Sequence, residues 1–306
     1  AFKKLVDGSI NISALNDEAA INLIRKKNID IIFDLMGLTS ANRIAIFKNR
    51  VAPIQVSWLG YCNTLGIKNM DYLISDPNLI YQNELNLFSK KIIFLPKIWN
   101  CHSGFNFSRT NSVSPFQINK FITFGSFNNY NKINHNVVNV WSKILKNVKD
   151  SKLILKSSTK KEIDNLKNLF DQNGVIKSVK FLPTNKSFYD HINLYKKIDI
   201  ALDTFPYNGV TTSFESIWMG VPVLTMKGFN FNSRCGESIN KNIGMNQLIA
   251  ENESDYIAKA LNLNKDFDKL LKIREKIFSE ATSSPLFDIS SFSKHFFNLI
   301  NKIHNK

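Results

Sequence analysis

The sequence predicts an α/β chain with two doubly wound domains, the first of them incomplete. Three observations carry that expectation. Short apolar runs alternate with longer amphipathic stretches, which implies parallel strands covered by helices on both faces. Turns rich in Gly and Asn follow several apolar runs, and ligands of open α/β sheets sit at such carboxyl ends. The 306 residues are enough for two domains of ordinary size.

In the first half, Asn16 to Lys27 is an amphipathic helix with Ala19, Ala20, Leu23 and Ile24 on one face. Asp30 to Leu35 is a buried strand, Gly37 to Asn42 a polar turn and Arg43 to Lys48 a short helix. Pro53 to Leu59 is a strand running into the loop Gly60 to Gly66, and Tyr72 to Ser75 and Lys91 to Leu95 are further strands. From Trp99 to Pro115 periodicity is lost, which places a linker there and the domains at 1–115 and 116–306. The second half opens on the strand Ile122 to Phe127, then the helix Asn134 to Lys146. Lys152 to Lys156 (strand), Lys160 to Gln172 (helix), Val179 to Leu182 (strand) and Ser187 to Lys196 (helix) follow. The strand Ile198 to Leu202 comes next, then a helix opening at Thr211 and Thr212 and ending at Gly220, then the strand Pro222 to Met226. Helices at Ser254 to Leu261, Asp266 to Ala281 and Ile289 to Ile303 close the chain. No solenoid or propeller period and no low-complexity tract is present.

Composition bounds the function. Lys+Arg 40 against Asp+Glu 25 gives +15, which suits an anionic ligand or an acidic partner. The lysines are scattered along helices as solvated faces are, with no basic tail, so nucleic acid is not the expected partner. Cys62, Cys101 and Cys235 stand far apart, which argues against a disulfide framework or a structural zinc site and favours a reducing compartment. The five His residues lack metal spacing. No apolar run approaches membrane-spanning length, and the expectation is a soluble, cytoplasmic protein.

The stretch Asp203-Thr-Phe-Pro-Tyr-Asn-Gly-Val-Thr-Thr-Ser-Phe-Glu carries the chemistry. A strand, a turn at Asn208 and Gly209 and a polar helix start make an anion site, because the first N–H groups of a helix lack internal partners and the dipole there is positive. Glu215 lies where a carboxylate reaches a ribose hydroxyl. The spacing of Thr212 and Glu215 equally fits a capping box, which needs no ligand. Lys132 follows the strand Ile122 to Phe127 and so lies near the carboxyl edge, where it can offset diphosphate charge; its alternative is a solvated surface lysine. Gly37 and Gly60 close two strand-to-loop junctions, Asp34 to Thr39 and Trp58 to Tyr61, where backbone can approach closely. Those junctions facing the anion site imply a two-domain clamp.

Val51-Ala-Pro-Ile-Gln-Val-Ser-Trp-Leu-Gly-Tyr61, Met70-Asp-Tyr72, Phe124-Gly-Ser-Phe-Asn-Asn129 with Lys132, Leu202-Asp-Thr-Phe-Pro-Tyr-Asn-Gly209 with Thr211-Thr212, and Ser283-Ser-Pro-Leu-Phe287 occur in an order that resembles the catalytic region of the O-linked N-acetylglucosamine transferases, glycosyltransferase family 41, above all its bacterial and SPINDLY-like branch. The resemblance implies a GT-B fold of two Rossmann-like domains. It also implies inverting transfer of a sugar, N-acetylglucosamine from UDP-GlcNAc, to Ser or Thr hydroxyls of proteins, with no cofactor and no metal. By position, Lys132 resembles the family's diphosphate-binding lysine and is the expected catalytic group. Asn129 resembles a donor-contacting residue, His191 a histidine near the uracil, and Thr211 and Thr212 the phosphate-contacting pair. Glu215 replaces an Asp that holds the ribose. Thr39, Leu59 and Gly60 resemble residues around the sugar, and Asn208 and Gly209 belong to the matching turn Leu202 to Gly209 and are expected to bind substrate.

Four departures bear on the donor. Leu38 stands where bacterial relatives have His, Val210 where the animal enzymes have His, and Phe188 and Leu194 replace charged groups near the base. They keep open GDP-fucose or UDP-glucose as donor, and a non-catalytic nucleotide-binding or interaction module. The family's first strand–helix units, and any tetratricopeptide repeats that bind protein substrates, are expected ahead of Ala1.

Overall fold

The computed structural model describes residues 5–105, 109, 113–183 and 187–305. The chain divides into two compact units. One comprises Ala1–Ser75, Tyr81–Leu95 and His295–Lys306, the other Asp76–Ile80 and Pro96–Lys294.

The first unit holds α1 (Asp17–Arg25), β1 (Ile31–Asp34), α2 (Ile44–Phe47), β2 (Ile54–Ser57), β3 (Tyr72–Ser75) and β4 (Lys91–Phe94). Asn16 caps α1 by accepting from the Ala19 N–H, and Asp17 and Glu18 suit the positive helix start. Ala20 and Ile21 turn inward against Ile46, Phe47, Val51, Ile67 and Met70, the core of this unit. The four strands are parallel in the order β1-β2-β3-β4, with no reversal of direction across the sheet. The strand order of this sheet is therefore sequential.

The second unit begins with α3 (Pro115–Asn119), β5 (Thr123–Ser126), α4 (His135–Asn147), β6 (Lys152–Ser157), α5 (Lys160–Gln172), β7 (Val179–Pro183) and α6 (Phe188–Asn193). It continues with β8 (Ile200–Leu202), α7 (Thr211–Trp218), β9 (Val223–Met226), α8 (Cys235–Asn242), β10 (Ile249–Ala250), α9 (Glu253–Lys265) and α10 (Phe267–Glu280). The last helix, α11, spans Ile289–His304. Six parallel strands run in the order β10-β9-β8-β5-β6-β7. The order reverses between β5 and β8, so the loops after these two strands diverge and leave a crevice at their carboxyl ends. β5, with Thr123, Phe124, Gly125 and Ser126 all buried, needs Gly125: a Cβ there would lie 2.5 Å from Ile198.

The expected linker is not one. The units divide at Leu95/Pro96 rather than at 115/116, and the chain after Pro96 packs into the second unit. Trp99 is buried and its N–H donates to Asp76 Oδ2 at 3.0 Å, His102 N–H donates to the Leu286 carbonyl, and Arg109 lies over the rings of Trp218 and Phe278. Residues 106–108 and 110–112 of that stretch lie outside the described residues. At the other end, residues from His295 belong to the first unit, where Phe296 packs on Trp58 and Phe33 with ring centroids 4.6 and 5.8 Å apart.

Candidate active site

The turn between β8 and α7 is built on Asp203. Its buried carboxylate accepts from the N–H groups of Gly209 (2.7 Å) and Thr204 (2.9 Å) on one oxygen and from the Thr225 hydroxyl (2.8 Å) on the other. Asn208 is held as tightly: its amide donates to the Thr204 carbonyl and its side-chain oxygen accepts from the Gly236 N–H. Burial pushes the Asp203 carboxyl up to about 6, against the opposing pull of these donors and of Lys132.

This clamped turn delivers α7 with its start uncapped. The residue before the helix is Val210, whose side chain has no acceptor, and no side-chain cap is formed. Thr211 and Thr212 are therefore the first two helical residues, and the capping-box alternative fails. Thr212 donates to Asn128 Oδ1 at 2.9 Å, and the Glu215 carboxylate is engaged elsewhere. Ser213 N–H donates to the Val210 carbonyl at 3.0 Å, which leaves the N–H groups of Thr211 and Thr212 at the helix end, where they favour an anion.

Lys132 reaches this end from the loop after β5. Its ammonium donates to the Asn208 carbonyl at 2.8 Å and lies 4.2 Å from the centre of the Tyr207 ring. The position after β5 brings it across the switch point to the loop after β8. Asn129, its partner in expectation, caps the short turn Tyr130–Lys132 by accepting from the Asn131 N–H. The neighbouring buried Asn128 is the residue that reaches α7.

Deeper along α7, Glu215 is buried and accepts from Tyr195 Oη at 2.8 Å and from His191 Nε2 at 2.9 Å. The other ring nitrogen, Nδ1, lies 3.0 Å from Lys156 Nζ. An ammonium only donates, so Nδ1 accepts and the ring proton sits on Nε2, facing the carboxylate. Burial pushes the Lys156 ammonium down from its ordinary value while the Glu215 charge holds it up, and burial with the same charge pushes Tyr195 well up. Of the residues read from sequence, Asn129, Lys132, Asn208, Gly209, Thr211, Thr212 and Glu215 thus fall on the loops after β5 and β8 and on α7, and His191 reaches Glu215 from α6. Asn128, Lys156, Tyr195 and Asp203 join them unforeseen. A run of Asn and a strand-end Lys gave no periodic signal, and Asp203 stood in the quoted turn without a role.

Thr39, Leu59 and Gly60 belong to the first unit. There the carboxyl ends of β1 and β2 meet closely: a Cβ on Gly60 would lie 2.0 Å from the Leu35 carbonyl oxygen and one on Gly37 2.2 Å from Tyr61 Cβ. Asp34 shapes the junction by accepting from the N–H groups of Met36 and Gly37. Leu59 has φ +79° and Thr39 donates to the Met36 carbonyl at 2.8 Å. Among the described residues, no group of three or more His, Cys, Asp or Glu could hold a metal ion, and no helix is long and apolar enough to cross a membrane.

The sequence profile of Glycosyl transferase family 41 matches residues 3–105 and 109–296. The chain belongs to glycosyltransferase family 41. Among its relatives in that family, the "Probable UDP-N-acetylglucosamine--peptide N-acetylglucosaminyltransferase SPINDLY" of Eustoma exaltatum subsp. russellianum is 35% identical over 92% of this chain and 31% of its own length. The protein named SEC of Arabidopsis thaliana is 27% identical over 94% of this chain and 30% of its own. The chain thus spans about a third of the length of these curated relatives. A mutant of the Thermobaculum terrenum O-GlcNAc transferase matches with a TM-score of 0.89 at 27% identity, over 99% of this chain and 59% of that one. The lipopolysaccharide outer core galactosyltransferase WaaB matches with a TM-score of 0.63 at 12% identity, over 94% and 79%, a likeness of fold alone. The fold of this family 41 chain is GT-B.

Proposed function

We propose that this chain is catalytic sequence of an inverting transferase that moves N-acetylglucosamine from UDP to Ser or Thr hydroxyls of a protein acceptor. The uncapped start of α7, with Lys132 held beside it at the switch point, is the observation that carries this reading. The diphosphate lies at the helix start with Thr211 and Thr212, the nucleoside towards His191 and Glu215, and Asn128 and Asn129 flank it. Thr39, Leu59 and Gly60 serve the sugar. The acceptor oxygen attacks the anomeric carbon, the bond from that carbon to the diphosphate breaks, and UDP leaves with the electron pair while the hydroxyl proton passes to solvent. Lys132 and the helix dipole meet the charge that grows on the leaving group, which is the stabilisation that counts in the transition state. They fill this role in place of a metal ion. The free cysteines support a reducing, cytoplasmic setting.

Calorimetry with UDP tests the reading. Binding is expected, and Lys132→Ala should weaken it roughly 10- to 100-fold, the loss of one charge-assisted contact of about 1.5–3 kcal/mol. A folded sample that gives no heat with UDP overturns the proposal. Transfer to a protein acceptor should persist in EDTA, and intact-protein mass with a donor panel should show the N-acetylhexosamine increment; a deoxyhexose or hexose increment instead would reassign the donor.

A further inference from the structure

At the opposite end of the second sheet from the switch point lies a cavity of about 540 Å³ that the reading above does not use. It opens at the amino ends of β5, β6 and β7, beside α3. In the parallel register Thr123 pairs with Lys152 and Ile154 with Lys180, so these four residues stand on one face of the sheet and form its floor. Pro115, Phe121, Ile154 and Val179 make the walls apolar, and Val113 and Ile118, 60% and 71% exposed, extend that apolar surface outward to the rim.

The charges around it have one sign. Lys152, Lys177, Lys180, Lys196 and Lys197 line the cavity and no Asp or Glu among the described residues does. A carboxylate near this corner, Asp199, is fully buried and already satisfied by the Ser114 hydroxyl and the N–H groups of Phe116 and Thr123. It therefore offers the lysines no surface counter-charge. An apolar interior of ligand size with an uncompensated ammonium rim fits one chemical class.

We propose that this cavity binds an amphipathic anion, an apolar chain or ring that ends in a carboxylate or phosphate. The apolar part lies on Ile154 with Pro115 and Phe121 beside it, and the anion meets Lys152 and Lys180, with Lys177, Lys196 and Lys197 around it. The free amphiphile, not a bilayer, is the occupant, because the apolar floor is recessed, with Ile154 only 8% exposed, and Val113 and Ile118 alone stand outward.

Titration calorimetry of the whole chain with decanoate, kept below its micelle concentration, reads this directly. One equivalent should bind, and decanol and inorganic phosphate, each carrying half of the chemistry, should bind at least about tenfold more weakly. The double variant Lys152→Glu with Lys180→Glu should lose about tenfold in decanoate affinity and keep the same UDP heat as wild type. Should that pair not fold, Lys177→Glu with Lys197→Glu, both exposed, replaces it with the same expectation. No decanoate heat in folded wild type, decanol binding equal to decanoate, unchanged affinity in the folded charge-reversed variant, or flotation with anionic vesicles without binding of the monomeric amphiphile would each overturn the proposal.

Discussion

Asp203 shows how one buried carboxylate holds a site without touching a ligand. Three donors converge on it, yet burial outweighs them and lifts its folded value from 3.8 to about 6. Below pH about 4 the group is protonated folded or unfolded and contributes no pH dependence. Between about 4 and 6 the folded chain keeps a proton that the unfolded chain releases, so rising pH removes stability, and the loss is complete above about 6. Asp203→Asn keeps the acceptor oxygen for Gly209 and Thr204 and cannot ionise. Its stability relative to wild type should therefore rise across pH 4–6 by on the order of 2–3 kcal/mol, measured by urea unfolding at each pH. A flat difference across that window would mean that the carboxylate is hydrated or compensated. At this scale the sequence was partly legible. Lys132 and the Thr pair could be placed because strand end, turn and helix start follow from the pattern. Asn128 was indistinguishable from Asn129, since only the turn geometry decides which side chain faces α7, and Lys156 looked like any strand-edge lysine.

The element that sets the site is the turn–helix unit from Asp203 to Trp218, and Gly209 is its tightest point. A Cβ there would lie 2.5 Å from Thr212 Oγ1 and 2.7 Å from Asn128 Oδ1, so a methyl would part the hydrogen bond that ties the loop after β5 to α7. Gly209→Ala should destabilise the chain by about 1–3 kcal/mol and weaken UDP binding at least about tenfold. Gly174→Ala is the control: φ is +70° with no atom within 4 Å, so it should cost stability of about 1 kcal/mol and leave UDP affinity alone. Equal UDP affinities in the two variants would show that the Gly209 contact does not shape the site. Most helices and strands of this unit were readable because their apolar residues recur with the right period: α5 matches Lys160 to Gln172, and α4 starts after Asn134 as its cap demands. α8 was missed because its buried face is Cys235, Gly236, Glu237, Ser238, Ile239 and Asn240, largely polar side chains held by hydrogen bonds. α3, five residues between the expected linker and the strand from Ile122, was not read, and β10, two residues long, gives no periodic signal.

For the whole chain, the alternation of elements revealed the fold class but not which segments pack together. Membership of a unit depends on distant contacts, and residues from His295 onward illustrate this: the last helix reads as one amphipathic stretch, yet its end belongs to the first unit. Phe296 fills the space beside Trp58 and Phe33, and Ile303 is 4% exposed. Removing residues 295–306 takes away both and leaves the Phe33 and Trp58 rings uncovered on that side. Phe33 lies on β1 and Trp58 directly follows β2, so the loss falls on the first two strands of the four-stranded sheet. Deleting such buried or half-buried aromatic and aliphatic side chains costs about 2–5 kcal/mol each, comparable with the whole stability of a small unit. Hydrogen exchange should then accelerate in β1 and β2 of the truncated chain and stay slow in β5 and β8. Phe296→Ala alone should show the same pattern at smaller amplitude. Unchanged protection of β1 and β2 in the truncated chain would mean that the terminal helix covers the first unit without stabilising it, and that its core is complete in Ala20, Ile21, Ile46, Phe47 and their neighbours.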